Sequence, residues 1–156
     1  MIVNAVNWKR KIPGEDGNLF ETVDSLLKNI KQLGDSEIDR LSDEFDQFKP
    51  KWIRLKPFQD YNLERSLEDS ILQAAERIES FANFQKRSLQ TSCLEDAYGQ
   101  YTQEIKPIHR VGCYIPGGRY PLISTALMTL IPAQVAGCPY KIAVSPSEHP
   151  AILAAA

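Results

Sequence analysis

The chain has 156 residues, 43% hydrophobic and 24% charged, with a formal net charge of −2 and a pI near 5.7. That length suits one domain, or one and a half small ones, and it can bury a real core. The near-neutral balance, with no dense basic run, argues against nucleic acid or an anionic membrane as the main partner, since both need a clear basic excess.

The opening segment, "MIVNAVNWKRKIPG", lacks the long uncharged core of a signal peptide, and Lys9, Arg10 and Lys11 read as a short solvated cluster. Leu19, Phe20, Val23, Leu26, Leu27, Ile30 and Leu33 then recur at helical spacing, and Gly34 stands where a C-terminal cap belongs. Ser36 reads as the cap of a second helix that carries Ile38, Leu41, Phe45 and Phe48 on one face and ends at Pro50. "KWIRLKP" alternates and predicts a short edge strand. Asn62 precedes a longer amphipathic helix with Leu63, Leu67, Ile71, Ala75, Ile78 and Phe81 inward. "GQYTQEIKPIH" alternates Tyr101, Gln103 and Ile105 as a half-exposed strand would.

Near His109 the character changes. Val111 to Ile115 is a compact apolar strand, and a helix is predicted from about Ser124 to Ala136. "YKIAVSP" reads as a second buried strand, and "SEHPAILAAA" as a helix start with Ser147 as cap and Pro150 in the first turn. Strand, helix, strand, helix is the βαβ pattern of a parallel sheet. The expected organisation is a mostly helical region over residues 1–108 with short strands, then the start of a Rossmann-like nucleotide-binding domain over residues 109–156. Parallel sheets are covered on both faces, so this second region reads as cut short. An open strand edge and under-covered Val111, Ile115, Ile142 and Val144 would then call for a homo-oligomer or a complementing chain.

The longest apolar region, "PLISTALMTLIPAQVAGC", is interrupted by Thr129, Pro132 and Gln134. A bilayer span needs about 20 apolar residues, so it reads as a buried helix and no membrane role is expected. The three cysteines are odd in number and form no C-x-x-C pair. Reduced thiols in the cytoplasm are the simplest expectation.

"VGCYIPGG", Val111 to Gly118, is neither a Walker A loop nor a G-x-G-x-x-G fingerprint. It does occupy a first strand-to-helix loop, the place where open α/β sheets bind ligands. Gly117 and Gly118 let the backbone approach a ligand, and Tyr114 offers a flat face and a hydroxyl. Spacing alone favours a tight turn with Tyr114 packed in the core.

"RVGCYIPGGRYPLISTALMTLIPAQVAGC", Arg110 to Cys138, resembles the histidinol dehydrogenase family, which carries R-V-G-x-Y-x-P-G-G, then S-[ST]-x-L-M and P-A-x-[VI]-A-G-[CV]. Upstream, "LGDSEIDRLSDEFD" is similar to the family's G-D-x-A-L-x-x-x-x-x-x-F-D, and "IESFANFQ" to its I-x-x-F-H-x-x-Q, with Ala82 in place of the usual histidine. Downstream, "VSPSEHPAILAAA" fits the family's post-strand segment, with Pro146-Ser147 where Pro-Pro is usual. The resemblance covers essentially the whole chain but about the first third of a typical member.

The resemblance implies an NAD- and zinc-dependent enzyme of the cytoplasm that oxidises L-histidinol to L-histidine through an aldehyde. It also implies an α/β, aldehyde-dehydrogenase-like fold with Rossmann-type domains, here incomplete, and an intertwined homodimer. Tyr114 matches the family tyrosine that contacts NAD, with Pro116, Gly117 and Gly118 beside it. The catalytic Glu-His pair and the zinc ligands belong downstream of Ala156, so no catalytic residue and no metal ligand are expected in this chain. The expected state is a truncated form, inactive by itself. The alternative is a non-catalytic paralogue that binds a nucleotide or a partner. Glu148-His149 mimics the catalytic pair in letters only, and His109 and His149 have no cysteine or carboxylate spaced as zinc sites require. Cys113 and Cys138 read as small core residues, and Arg119 and Tyr120 as solvent-facing.

Overall fold

A computed structural model describes residues 17–47, 49–117 and 120–156. The cluster Lys9, Arg10 and Lys11, the expected core residue Phe48, and the loop residues Gly118 and Arg119 lie outside the described residues. The chain divides into two compact units, one ending at Trp52 and the other running from Ile53 to Ala156.

The first unit contains α1 (Gly17–Leu33) and α2 (Asp35–Phe45), which meet at Gly34. Gly34 has φ 62° and donates its N–H to the Ile30 carbonyl at 2.9 Å, a backbone state that glycine adopts without a Cβ clash. Ser36 does not cap α2. Gly34 takes the cap position, and the Ser36 hydroxyl donates back to the Leu33 carbonyl at 2.9 Å. Asp35 and Glu37 place acidic side chains in the first turn, where the helix dipole favours them. Glu37 is buried, and Arg40 clasps its carboxylate with two N–H bonds of 2.9 and 2.8 Å while reaching Glu44 at 2.7 Å. Those Arg40 bonds hold the Glu37 carboxyl below the usual carboxylate range, against the opposing effect of desolvation.

Residues 51–57 form no strand. Prolines 50 and 57 bracket the segment, and no strand among the described residues pairs with it. The Lys56 N–H instead donates to the Tyr61 hydroxyl at 3.0 Å, tying the segment to a short 3-10 turn, Phe58–Tyr61. Asn62 closes that turn with φ 48° rather than capping the next helix, so α3 starts at Arg65 and runs to Arg87. β1 (Ser92–Asp96) and β2 (Gly99–Gln103) form an antiparallel hairpin whose residues are all exposed. The Asp96 carboxylate accepts the N–H groups of Tyr98 and Gly99, at 2.8 and 3.0 Å, and fixes its turn.

β3 (Arg110–Tyr114) and β4 (Tyr140–Val144) lie parallel, joined by α4 (Ile123–Ala136) and followed by α5 (Pro150–Ala155). This is the βαβ unit that the hydrophobic pattern predicts, within an α/β architecture of helices followed by strands. α4 ends on Gly137 at φ 89°. The N–H of Gly137 reaches the Gln134 carbonyl and that of Cys138 the Ala133 carbonyl, which satisfies the helix end as a Schellman cap. α3 packs on α4, so the core joins the long helix to the βαβ unit. Ile71 of α3, Leu127 of α4 and Ala151 of α5 form one buried cluster; Ile115, Ala126 and Ile152 form the other. Alanine at 126 and 151 removes the bulk that would hold these helices apart.

Among the described residues β3 is covered on one face, and every residue of β4 except the half-buried Lys141 is exposed. Cys113 and Ile115 are buried and Val111 half-buried on that face, so α4 shields the two residues, Val111 and Ile115, expected to be under-covered. Exposure concentrates on the other face, where Tyr114, Tyr140, Ile142 and Val144 reach solvent. The second strand is therefore not the buried strand its composition predicts.

Candidate functional site

Strand alternation places Val111, Cys113 and Ile115 toward α4 and turns Gly112 and Tyr114 the other way. Parallel register then sets Gly112 beside Ile142 and Tyr114 beside Val144. Tyr114 is 63% exposed at the carboxyl end of β3, which rules out the packed-core reading of this side chain. A Cβ added at Gly112 would meet nothing within 4 Å, so the surface next to the tyrosine is open. The result is a shallow apolar shelf of Tyr114, Ile142 and Val144. It lies at the carboxyl ends of two parallel strands, where sheets of this kind receive ligands.

Two loops border the shelf. Ile115 donates its N–H to the Val144 carbonyl at 2.8 Å, extending the ladder one residue past β3. Pro116 follows, half-buried, and its carbonyl accepts the Leu122 N–H at 3.4 Å across the β3–α4 loop. α4 then starts at Ile123 with no side-chain cap hydrogen bond, leaving its positive end toward this loop. Gly117 abuts the β4–α5 loop: a Cβ there would lie 2.2 Å from the Ser147 Cβ and 3.0 Å from the Ser147 nitrogen.

The structure thus brings together Tyr114, Pro116 and Gly117 of the expected site, while Gly118 lies outside the described residues. Spacing did not disclose Ser145 and Ser147. Their signal was the parallel pairing itself, since adjacent parallel strands put their carboxyl-end loops side by side.

The two histidines have structural partners. The His149 Nδ1 accepts the Ala151 N–H at 3.2 Å, so His149, rather than Ser147, caps α5, with Pro150 as the first helical residue. Ser147 sits one step earlier, its hydroxyl accepting the His149 N–H at 3.2 Å. His109 stacks edge-on against Tyr140 at 5.0 Å, and the Arg110 guanidinium lies 5.6 Å from the centre of the same ring, at the opposite end of the strands from Tyr114. Cys113 and Cys138 are buried and unpaired. Ala82, which replaces the usual histidine of the resembling motif, is buried on α3. Tyr120 is exposed. Among the described residues no three His, Cys, Asp or Glu side chains converge as a metal site would require, and no helix is long and apolar enough to cross a membrane.

Known proteins place this geometry. The family model described as histidinol dehydrogenase matches residues 10–156. Histidinol dehydrogenase from Thermus thermophilus is 37% identical over 146 residues, covering 90% of this chain and 34% of the relative. A histidinol dehydrogenase homolog from Shouchella clausii is 34% identical over 144 residues, with 89% and 34% covered. The crystal structure of histidinol dehydrogenase from Elizabethkingia anophelis superposes with a TM-score of 0.72 at 31% identity, covering 88% of this chain and 34% of that one. The chain spans about a third of the length of these relatives. Motif, fold and comparisons agree: the chain belongs to the histidinol dehydrogenase family.

Proposed function

We propose that this chain carries the first nucleotide-facing part of an NAD-dependent enzyme that oxidises L-histidinol to L-histidine. The observation that carries the reading is Tyr114, apolar-faced and exposed at the carboxyl end of β3 beside the open surface at Gly112. The shelf fits a flat nucleotide ring, and the uncapped start of α4 fits the anionic part of a dinucleotide. Tyr114, Pro116, Gly117 and Gly118 would hold NAD, which supplies the hydride acceptor when bound. The chain's own part is to orient that ring by contact with Tyr114 and to exclude water from its apolar side.

A base to take the alcohol proton and a metal-held substrate would come from residues outside this chain. The zinc of the family finds no fitting donor set among the described residues. The residues over 109–156 serve as the start of a Rossmann-like nucleotide-binding domain, following a mostly helical region over residues 1–108 in the sequence, and the setting is the cytoplasm. The exposed face of Tyr140, Ile142 and Val144 supports assembly as a homodimer or with a complementing chain. Sedimentation velocity at rising concentration checks this, and a monomer throughout would contradict it.

The catalytic part of the proposal is tested with the purified 156-residue chain, L-histidinol and NAD, following NADH absorbance. No NADH forms with the chain alone, and turnover by it would overturn the division of labour proposed here. NAD binding without turnover even when the rest of a relative's polypeptide is supplied would favour a non-catalytic nucleotide-binding module instead.

A further inference from the structure

Gly117 lies on the β3–α4 loop, yet the atoms nearest to its absent Cβ belong to the β4–α5 loop. They are the Ser147 Cβ at 2.2 Å, the Ser147 nitrogen at 3.0 Å and the Ser145 Oγ at 3.2 Å. A Cβ–Cβ separation of 2.2 Å is impossible, and neither Ser147 atom is the far end of a flexible side chain. A side chain at 117 therefore has to push one loop off the other.

The loop it would push against is stiff. Ser145 Oγ accepts the Ser147 N–H at 3.2 Å, Ser147 Oγ accepts the His149 N–H at 3.2 Å, and His149 Nδ1 accepts the Ala151 N–H at 3.2 Å. Each side chain holds the backbone two residues on, so three consecutive links run from the end of β4 into α5. The first link needs an N–H at 147, which serine has and proline lacks. α5 is anchored in turn, because Ala151 and Ile152 are buried in the two core clusters.

We propose that Ser147 is a positioning residue for the nucleotide shelf. Its Cβ, seated on Gly117, sets where the β3–α4 loop runs, and through Pro116 and Ile115 it sets how Tyr114 is presented at the end of β3. In this account the glycine at 117 answers to the neighbouring loop, and the bound ligand does not require it. The consequence for NAD rests on the proposed function; the loop contact itself does not.

The test is a four-protein cycle on the whole chain: parent, Gly117→Ala, Ser147→Gly and the double variant. Amide hydrogen exchange at Leu122, whose N–H bonds to the Pro116 carbonyl, reads the loop, and calorimetric titration with NAD reads the site. Gly117→Ala speeds Leu122 exchange and weakens NAD binding, each by about tenfold. Adding Ser147→Gly removes the opposing Cβ and brings both readings back to within about threefold of the parent, the signature of a coupled pair. Ser147→Ala keeps the Cβ, so it must not rescue Gly117→Ala.

Unchanged exchange in Gly117→Ala, or exchange that Ser147→Gly fails to restore, overturns the proposal. Restored exchange with NAD affinity still lost also overturns it, since the ligand itself would then demand the glycine. A parent chain that binds no NAD refutes the nucleotide reading alone, and the exchange cycle still decides the loop contact.

Discussion

Replacing Ile115 with alanine costs the second unit about 2–5 kcal/mol, the range for truncating a fully buried isoleucine that leaves a cavity. Ile115 is 1% exposed and sits against Ala126 and Ile152, with Ile123, Leu130 and Ala155 around them. Two of those neighbours are alanines whose backbones are fixed in α4 and α5. They have no spare side chain to swing into the space, so collapse around the cavity is limited. The matched control is Ile142→Ala. Ile142 is 46% exposed on the open face of the sheet, so the same chemical change there costs within about 0.5 kcal/mol. Urea unfolding followed by circular dichroism measures both. Equal losses at the two positions would contradict the one-sided burial of the sheet.

The second large effect is on binding. Tyr114→Ala weakens NAD binding by about 1–3 kcal/mol, the contribution of a lost aromatic contact, while changing stability by less than about 1 kcal/mol. Both halves follow from exposure. A side chain that is 63% exposed in the folded chain contributes little to folding, and its free face is what a ring can lie on. Tyr114→Phe keeps the face and loses the hydroxyl, so it retains most of the affinity if stacking dominates. Thermal melts and NAD titrations on the same two variants separate the cases. A large stability loss with unchanged affinity would return Tyr114 to a packing role.

The part of this site that was legible in the sequence follows from strand geometry. Period-two alternation in "RVGCY" puts Cys113 and Tyr114 on opposite faces, and the two faces are indeed buried and exposed. Apolar runs also announced α1, α3 and α4, and Gly34 marked the end of α1. Other features needed coordinates because tertiary packing decides them. "YKIAV" is apolar enough for a buried strand, but no element among the described residues covers its outer face, and Ile142 and Val144 stay exposed. "KWIRLKP" alternates, yet no strand among the described residues pairs with it, and the Lys56 N–H goes instead to the Tyr61 hydroxyl. Ser36, Asn62 and Ser147 are all good capping residues by type. At each, another residue nearby took the position: Gly34, Glu64 and His149. The contact between Gly117 and Ser147 joins residues 30 positions apart, and only the parallel pairing of β3 with β4 brings them together.

The central claim is that a nucleotide sits at the carboxyl ends of β3 and β4. Its most direct test is an amide NMR titration of the 15N-labelled chain with NAD. Saturable shifts should cluster on Tyr114, Ile115 and Gly117 and on Val144, Ser145 and Ser147, and in Tyr114→Ala they should need about 5- to 150-fold more NAD to saturate. Shifts that map elsewhere, that saturate at the same NAD concentration without Tyr114, or that never saturate would contradict it.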